Sequence, residues 1–265
     1  MKRLILAAML ATGLAGAAHA DNALKAAIAS KERAPENVAR DSARHPYETL
    51  TFFGIKPNMV VAELAPGGGW YTEILAPYLA DAGALIAAGE SPHSPNATAK
   101  RYADRLTKKL ESNPRLFSKV QRGIFEPPRA FDFALPGKVD MVVTFRNMHN
   151  WASLGDAELK TVLKHVHTAL KPGGVFGVVE HRMPASRPAN GDSGYLHEAL
   201  VIKMIESAGF KLVAKSEVNA NPKDTADHNK GVWALPPGLA NKDVDKAKYM
   251  AIGESDRMTL KFVKQ

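Results

Sequence analysis

One glycine-rich stretch, which runs from Val60 to Thr72, constrains the fold of this chain more than any other. It begins as an apolar run with an acidic residue near its end, continues through Pro66 and three glycines, and leads into a helical pattern. Glycines allow a backbone to approach a ligand closely, and the first N–H groups of the following helix are free to face that ligand. A parallel sheet uses this arrangement to hold a nucleoside-bearing cofactor, so the stretch predicts such a pocket.

Strand and helix patterns alternate along the rest of the chain. Helical patterns cover residues 21–50, 69–79, 98–110, 156–170 and 195–208, and apolar runs predict seven strands at residues 59–64, 85–88, 117–124, 139–145, 175–180, 210–218 and 258–263. Alternation of this kind predicts an α/β fold with a doubly wound, mostly parallel sheet and right-handed crossovers. No crossover helix is evident between the last two strands, so we expect an antiparallel last strand.

The first 20 residues have the pattern of a secretory signal peptide. Lys2 and Arg3 precede an apolar run, and Ala18-His19-Ala20 is a cleavage pattern of small residues. The run is shorter than the ~20 residues that span a bilayer. We therefore expect cleavage after Ala20, a periplasmic or secreted protein, and no stable membrane anchor.

Composition narrows the classes of partner. The 265 residues include no cysteine, which excludes disulfides and thiolate metal sites. The net charge is +8, but acidic residues interrupt the basic ones, as Asp104 does within residues 100–109. This pattern is typical of a solvated helix face, so we expect a small-molecule substrate and no nucleic acid. His165 and His167 lie two apart on a helix and face different ways, and no other spacing predicts a metal.

Three stretches together resemble class I S-adenosylmethionine-dependent methyltransferases: residues 61–69, 139–151 and 170–175. The chain looks closest to an exported branch of predicted methyltransferases, whose hallmarks match residues 52–57, 66–71 and 145–147. The resemblance implies a Rossmann-like methyltransferase domain over residues 51–265, after a signal peptide (1–20) and an N-terminal helical segment (21–50). It also implies S-adenosylmethionine as the cofactor and methyl transfer to a small molecule.

Specific cofactor contacts follow from the resemblance. It implies that Glu63 lies near the methionine amino group, and that the cofactor loop is formed by Gly67, Gly68 and Gly69. The sequence departs from the family pattern twice, because Ala65 replaces the first glycine and the acidic residue after strand 2 falls at Glu90, one residue late. Either a bulge turns Glu90 toward the ribose, or the ribose is held in another way.

The end of the fourth strand carries the predicted catalytic residues, which are Arg146, Asn147 and His149. Carboxyl ends of parallel strands open onto the ligand crevice, and positioning does most of the work in methyl transfer. An imidazole titrates near neutrality, so His149 is the natural base, although it could instead only order the loop. We expect substrate contacts at Trp151, His181, Arg182 and Tyr71, with Trp151 a wall or core residue rather than a cation–π platform.

Two further segments are candidates for covering the site. The long polar connection over residues 219–256 starts at the carboxyl edge of the sheet, so we expect it to cover the active site and set substrate choice. The cluster Arg40, Asp41, Arg44 and His45 either closes over the pocket or caps a helix.

Methyl transfer is not the only function that the sequence allows. An exported small-ligand-binding protein that keeps the fold is the alternative, which Ala65 and the shifted Glu90 favour. A hydrolase or lyase ranks last, because the chain has no Gly-x-Ser-x-Gly elbow.

Overall fold

The computed structural model describes residues 21–188 and 192–265, so the predicted signal peptide lies outside the described residues. The strands are β1 (Val60–Leu64), β2 (Ala84–Gly89), β3 (Gln121–Glu126), β4 (Ala130–Asp132), β5 (Val139–Phe145), β6 (Leu170–Met183), β7 (Leu196–His197), β8 (Phe210–Ser216) and β9 (Arg257–Lys264). The helices are α1 (21–28), α2 (Pro35–Val38), α3 (Asp41–Arg44), α4 (Pro46–Phe53), α5 (Thr72–Leu79), α6 (Ala97–Glu111), α7 (Pro114–Phe117), α8 (Met148–Ala152), α9 (Asp156–Ala169), α10 (Glu198–Glu206) and α11 (Lys246–Ile252).

The strands form one sheet in the order β4-β3-β2-β1-β5-β6-β9-β8, and β7 adds to β6. Strand β1 runs parallel to both β2 and β5, and the parallel pairing continues outward to β3 on one side and β6 on the other. Strand β9 runs antiparallel to its neighbours β6 and β8. The predicted doubly wound, mostly parallel sheet with an antiparallel last strand is confirmed.

Several predicted boundaries are wrong for local reasons. The strand expected at residues 117–124 begins only at Gln121, because Asn113 Oδ1 accepts a hydrogen bond from the Arg115 N–H (3.1 Å) and starts helix α7. The helix expected from residue 195 begins at Glu198, since β7 first pairs with the end of β6. The short strands β4 and β7 raise the number of strands among the described residues from the predicted seven to nine.

Apolar residues cover both faces of the central strands. On β5, Val142 packs into the layer with α9 and α10, whereas Met141 and Val143 pack into the opposite layer with α4 and α5. This alternation is the two-residue period of a strand, and burial of both faces is typical of a central parallel strand. Apolar packing therefore covers both faces of the sheet, and polar groups of the central strands lie at its carboxyl edge.

The segment expected to be helical over residues 21–50 folds as α1, α2, α3 and the start of α4, with turns between them. No helix within the described ranges is long and apolar enough to cross a membrane.

Candidate functional site

The loop after β1 is built from left-handed backbone conformations. Ala65, Gly67 and Gly69 have φ values of 49°, 59° and 76°. A Cβ added at Gly67 or Gly68 would meet no atom within 4 Å, so these positions face open space. Ala65 adopts a conformation that favours glycine, held there by its N–H, which donates to the Ala88 carbonyl at 2.8 Å. The turn of the family pattern thus forms without its first glycine.

Two cavities meet at this loop. The first has a volume of about 490 Å³ and the second about 390 Å³. They share walls from the glycine loop, α6 and the end of β5: Ala65, Pro66, Gly67, Tyr102, Asn147 and Asn150. This joint crevice lies at the carboxyl ends of β1 and β5, where a doubly wound sheet binds its ligands.

Glu90 and Trp151 line the second cavity. The pairing of β2 with β3 stays regular through Gly89, so Glu90 reaches the cavity without a bulge in that strand. Burial, together with the nearby carboxylate of Glu126, raises the pKa of Glu90. The Trp151 ring packs against Phe125 with centroids 5.2 Å apart and is a wall of this cavity rather than of the first.

Glu63 lies beneath the glycine loop and is almost fully buried. Its carboxylate accepts a hydrogen bond from Thr72 Oγ1 at 2.6 Å, and burial raises its pKa to about 7. Glu63 is not among the described residues that line the two cavities. Its contact with the cofactor therefore stays a prediction.

A buried carboxylate orients His149. Glu180 Oε1 lies 2.9 Å from His149 Nδ1, and the same carboxylate accepts the backbone N–H groups of His149 (3.3 Å) and His181 (2.7 Å). Because a carboxylate in this position acts as the acceptor, Nδ1 carries the hydrogen of the neutral ring and Nε2 keeps its lone pair. His149 lines the first cavity, so this nitrogen is available to take a proton there. Sequence reasoning missed Glu180, although an acidic residue after Val178-Val179 in a buried strand was a signal.

His181 also lines the first cavity. Its Nδ1 lies 2.5 Å from Ser255 Oγ, and burial and the positive charge of Arg146 hold its pKa well below the usual range. His149, Glu180 and His181 each offer one potential metal ligand within 4.8 Å of the others. Spacing along the sequence predicted no metal, because these groups come from the ends of two different strands.

Arg146 and Asn147 both lie at the crevice, with different surroundings. The Asn147 side-chain nitrogen donates to the Leu64 carbonyl (3.2 Å) and to Thr144 Oγ1 (3.0 Å), which ties the end of β5 to the glycine loop. Arg146 has a left-handed backbone, with φ of 65°. Their catalytic roles stay predictions.

The structure does not bring Arg182 and Tyr71 to the two cavities, although the sequence predicted substrate contacts for both. Adjacent strand residues point to opposite faces, so Arg182 turns away from the side of His181 and binds Glu217 (2.7 Å) and Asp256 (2.9 Å). The Tyr71 ring stacks on Phe145 with centroids 3.5 Å apart, and burial raises its pKa to about 12. Tyr71 thus supports Phe145, which is a wall of the first cavity.

Two segments enclose the first cavity from outside the sheet. The N-terminal segment contributes Asn37, Arg40 and Arg44. The long connection contributes residues 232, 233, 235–238, 254 and 255, including the partly exposed Trp233. Trp70 joins the first segment to the glycine loop, because its Nε1 donates to the Asn37 carbonyl (2.8 Å) and Arg44 lies over its ring (4.8 Å).

Glu254 binds three arginines at the rim of this cavity. Its carboxylate oxygens lie 2.7 Å from Arg40 Nε, 3.2 Å from Arg44 Nε and 3.2 Å from Arg257 Nη1. Burial opposes ionisation, but the attraction of Arg44, Arg257 and Arg40 prevails and lowers the pKa of Glu254 to about 2. The ion pairs of Glu254 therefore connect the N-terminal segment to the start of β9 at the site.

The fold resembles solved methyltransferase structures. A SAM-dependent methyltransferase from Aquifex aeolicus matches over 86% of this chain and 93% of its own, with a TM-score of 0.55 and 15% identity. The glycopeptide N-methyltransferase MtfA in complex with S-adenosylmethionine matches over 83% of this chain and 87% of its own, with a TM-score of 0.52 and 16% identity. The [4+2]-cyclase SpnF matches over 84% of this chain and 80% of its own, with a TM-score of 0.56 and 13% identity. No family model and no curated protein matches the chain.

Sheet order and these similarities together establish the class I methyltransferase fold. The crevice at the carboxyl ends of β1 and β5 is the position in which this fold class holds its ligands.

Proposed function

We propose that this protein is an exported S-adenosylmethionine-dependent methyltransferase that acts on a small molecule. The observation that carries the proposal is His149, which lines a cavity beside the glycine loop and is oriented by the buried carboxylate of Glu180. An oriented imidazole beside a cofactor loop is suited to take the proton that an oxygen or nitrogen acceptor loses when it is methylated. The signal-peptide pattern of residues 1–20 supports export.

The residues of the crevice fit the proposed cofactor. Gly67 and Gly68 form an open cradle in which no side chain competes for space, and Glu90 offers a carboxylate at the end of β2. Trp151 and Leu106 give the second cavity apolar walls suited to a nucleoside base. When bound, S-adenosylmethionine supplies an electrophilic methyl group on a positively charged sulfur.

The protein's own groups would then handle the acceptor. The first cavity would hold the acceptor beside the glycine loop, with His149 in its wall. An acceptor O–H or N–H must lose a proton as it is methylated, and Nε2 of His149 takes that proton. Glu180 keeps the ring oriented and stabilises the imidazolium that forms, as a positioning residue.

A ligand-binding protein without methyl transfer is the second candidate. The strained Ala65 and the burial of Glu63 outside the cavity walls favour it. SpnF is described as a [4+2]-cyclase, so this fold alone does not determine methyl transfer.

Calorimetric titration with S-adenosylmethionine and S-adenosylhomocysteine tests the proposal. We expect micromolar binding that is lost in Gly67→Arg, because the new side chain fills the open cradle. Gly173→Arg is the matched control, since Gly173 has φ of 72° and open space at its Cβ but lies at the start of β6. Absence of binding to both nucleosides in the wild type would contradict the proposal and favour a pocket for another ligand. The signal peptide is tested separately by mass spectrometry of the protein recovered after export, which should begin at Asp21.

A further inference from the structure

Positive charge exceeds negative charge around the first cavity. Arg40, Arg44 and Arg146 line it, and Arg257 binds Glu254 at its rim. Glu254 is the only carboxylate that lines it within the described part of the chain. Counting the buried Glu180 as a second negative charge still leaves two guanidinium groups without a counter-charge.

Two of these arginines have N–H donors to spare. Arg40 Nη2 is buried and makes no hydrogen bond to the described residues. The Arg146 guanidinium likewise has no hydrogen bond or ion pair within residues 21–188 and 192–265. Burial and the neighbouring Arg257 lower the pKa of Arg146, and the more distant attraction of Glu254 does not offset them.

The proposed cofactor cannot supply the missing charge. S-adenosylmethionine carries one carboxylate, one ammonium and one sulfonium group, so its net charge is positive. Its carboxylate could bind one arginine, but the whole molecule would add to the excess. A second, anionic ligand is needed to balance the cavity.

The other residues that line the cavity indicate the chemical nature of the rest of that ligand. Trp70, Phe145 and Trp233 give the cavity aromatic surfaces, and its volume of about 490 Å³ suits a small molecule. Guanidinium groups bind carboxylates and phosphates through paired N–H donors.

We infer that the methyl acceptor is a small aromatic or apolar molecule with a carboxylate or phosphate group, which Arg146, Arg40 and Arg44 bind. This inference rests on the proposed function, because it assigns the acceptor of that reaction. The anionic group holds the acceptor at one end of the cavity, and its body lies along the aromatic walls toward His149.

A metal ion fits the same cavity less well. The carboxylate oxygens of Glu180 already accept hydrogen bonds from His149 and His181. The charge of Arg146 and Arg257 acts on His181, so a cation there would be repelled.

Calorimetry with paired probes tests the inference. Benzoate and phenyl phosphate are the anionic probes, and benzamide is the neutral one; each is titrated with and without saturating S-adenosylhomocysteine. We expect at least one anion to bind roughly tenfold or more tightly than benzamide, and Arg146→Gln to weaken it by a similar factor. Arg146→Gln breaks no hydrogen bond to the described residues and should fold. Arg115→Gln, at an exposed position outside the cavity, should change nothing.

The outcomes separate the two proposals. If S-adenosylhomocysteine binds but neither anion does, the inference is wrong and the proposed function stands. If the anions bind but S-adenosylhomocysteine does not, the proposed function is wrong, and with it the assignment of the anion as a methyl acceptor. If Arg146→Gln weakens S-adenosylhomocysteine but not 5′-methylthioadenosine, which lacks the carboxylate, the arginine serves the cofactor and the inference fails. Binding of Zn²⁺ in preference to the anions would also overturn it.

Discussion

Glu254 is the residue whose neutralisation tests the electrostatics of the first cavity most directly. Its carboxylate is shared by Arg40, Arg44 and Arg257, and its side chain is only 9% exposed. The substitution Glu254→Gln keeps the size of the side chain and removes its charge. Three buried or half-buried guanidinium groups then lose their common counter-charge, so the folded state should be strongly destabilised.

The magnitude follows from the pKa of Glu254, which is lowered from 4.5 to about 2. A difference of about 2.5 pH units corresponds to about 3 kcal/mol of unfolding free energy at pH 7. The cost of removing one partner of a buried ion pair, about 3–5 kcal/mol, agrees with this value. Because the folded-state pKa is lower than the unfolded one, the stabilisation is complete above about pH 5 and is lost as the pH falls toward 2.

Urea denaturation followed by tryptophan fluorescence measures the effect. We expect Glu254→Gln to lower the free energy of unfolding by about 3 kcal/mol at pH 7 and by about 1.4 kcal/mol at pH 3. Glu111→Gln is the control, because Glu111 is exposed at the end of α6, and its effect should stay within about 0.5 kcal/mol. Equal stabilities of wild type and Glu254→Gln at pH 7 would refute the reasoning, as would a difference that does not change with pH.

Three further predictions concern residues beneath and beside the crevice. Burial raises the pKa of Glu63 to about 7, so the folded state loses stability as the pH rises from 4.5 to 7. The substitution Glu63→Gln should therefore raise the unfolding free energy by about 2–3 kcal/mol at pH 8 but not at pH 4. If Glu63 serves the cofactor as predicted, the same variant should bind S-adenosylhomocysteine more weakly, which calorimetry would show. Ala65→Gly should relieve the strain of the left-handed backbone and stabilise the folded chain by about 0.5 kcal/mol. Ala99→Gly in helix α6 should instead destabilise it by about 1 kcal/mol, and urea denaturation midpoints of both variants measure these changes. Glu180→Gln leaves one of three N–H donors unpaired and should cost about 1–3 kcal/mol, with altered ¹⁵N shifts of the His149 ring, and unchanged shifts would contradict its role in orienting that ring.

Periodicity and crossover rules were sufficient to predict a doubly wound, mostly parallel sheet with an antiparallel last strand. The apolar runs of β1, β5 and β6 are evident in the sequence, and their alternation with helices predicts that they run parallel. Strands β4 and β7 have three and two residues, too few for any period to be visible. Their existence depends on pairing with β3 and β6, which only the folded chain brings close.

The same limit applies to the site. His149 and His181 were predicted because each follows a parallel strand at the carboxyl edge. Glu180 was missed because its role depends on the turn that brings His149 back onto β6. Arg40 and Glu254 lie 214 positions apart, and no local pattern joins them. Arg182 was predicted at the site because β6 was expected to end at residue 180; the strand continues to Met183, and its alternation turns Arg182 to the other side.

Features that reduce stability are concentrated at one edge of this sheet. Ala65 and Arg146 hold left-handed conformations, and Glu63 is buried with a raised pKa. Arg40 and Arg44 share the carboxylate of Glu254 with Arg257, and the Arg146 guanidinium beside them has no ion pair among the described residues. Strain and unbalanced charge of this kind persist where a ligand relieves them, and they are typical of functional sites. An anion in the first cavity would offset the charge, and an ammonium group near Glu63 would favour its ionised form. The two opposite demands, one for negative and one for positive charge, match an acceptor and a cofactor bound side by side better than they match a single ligand.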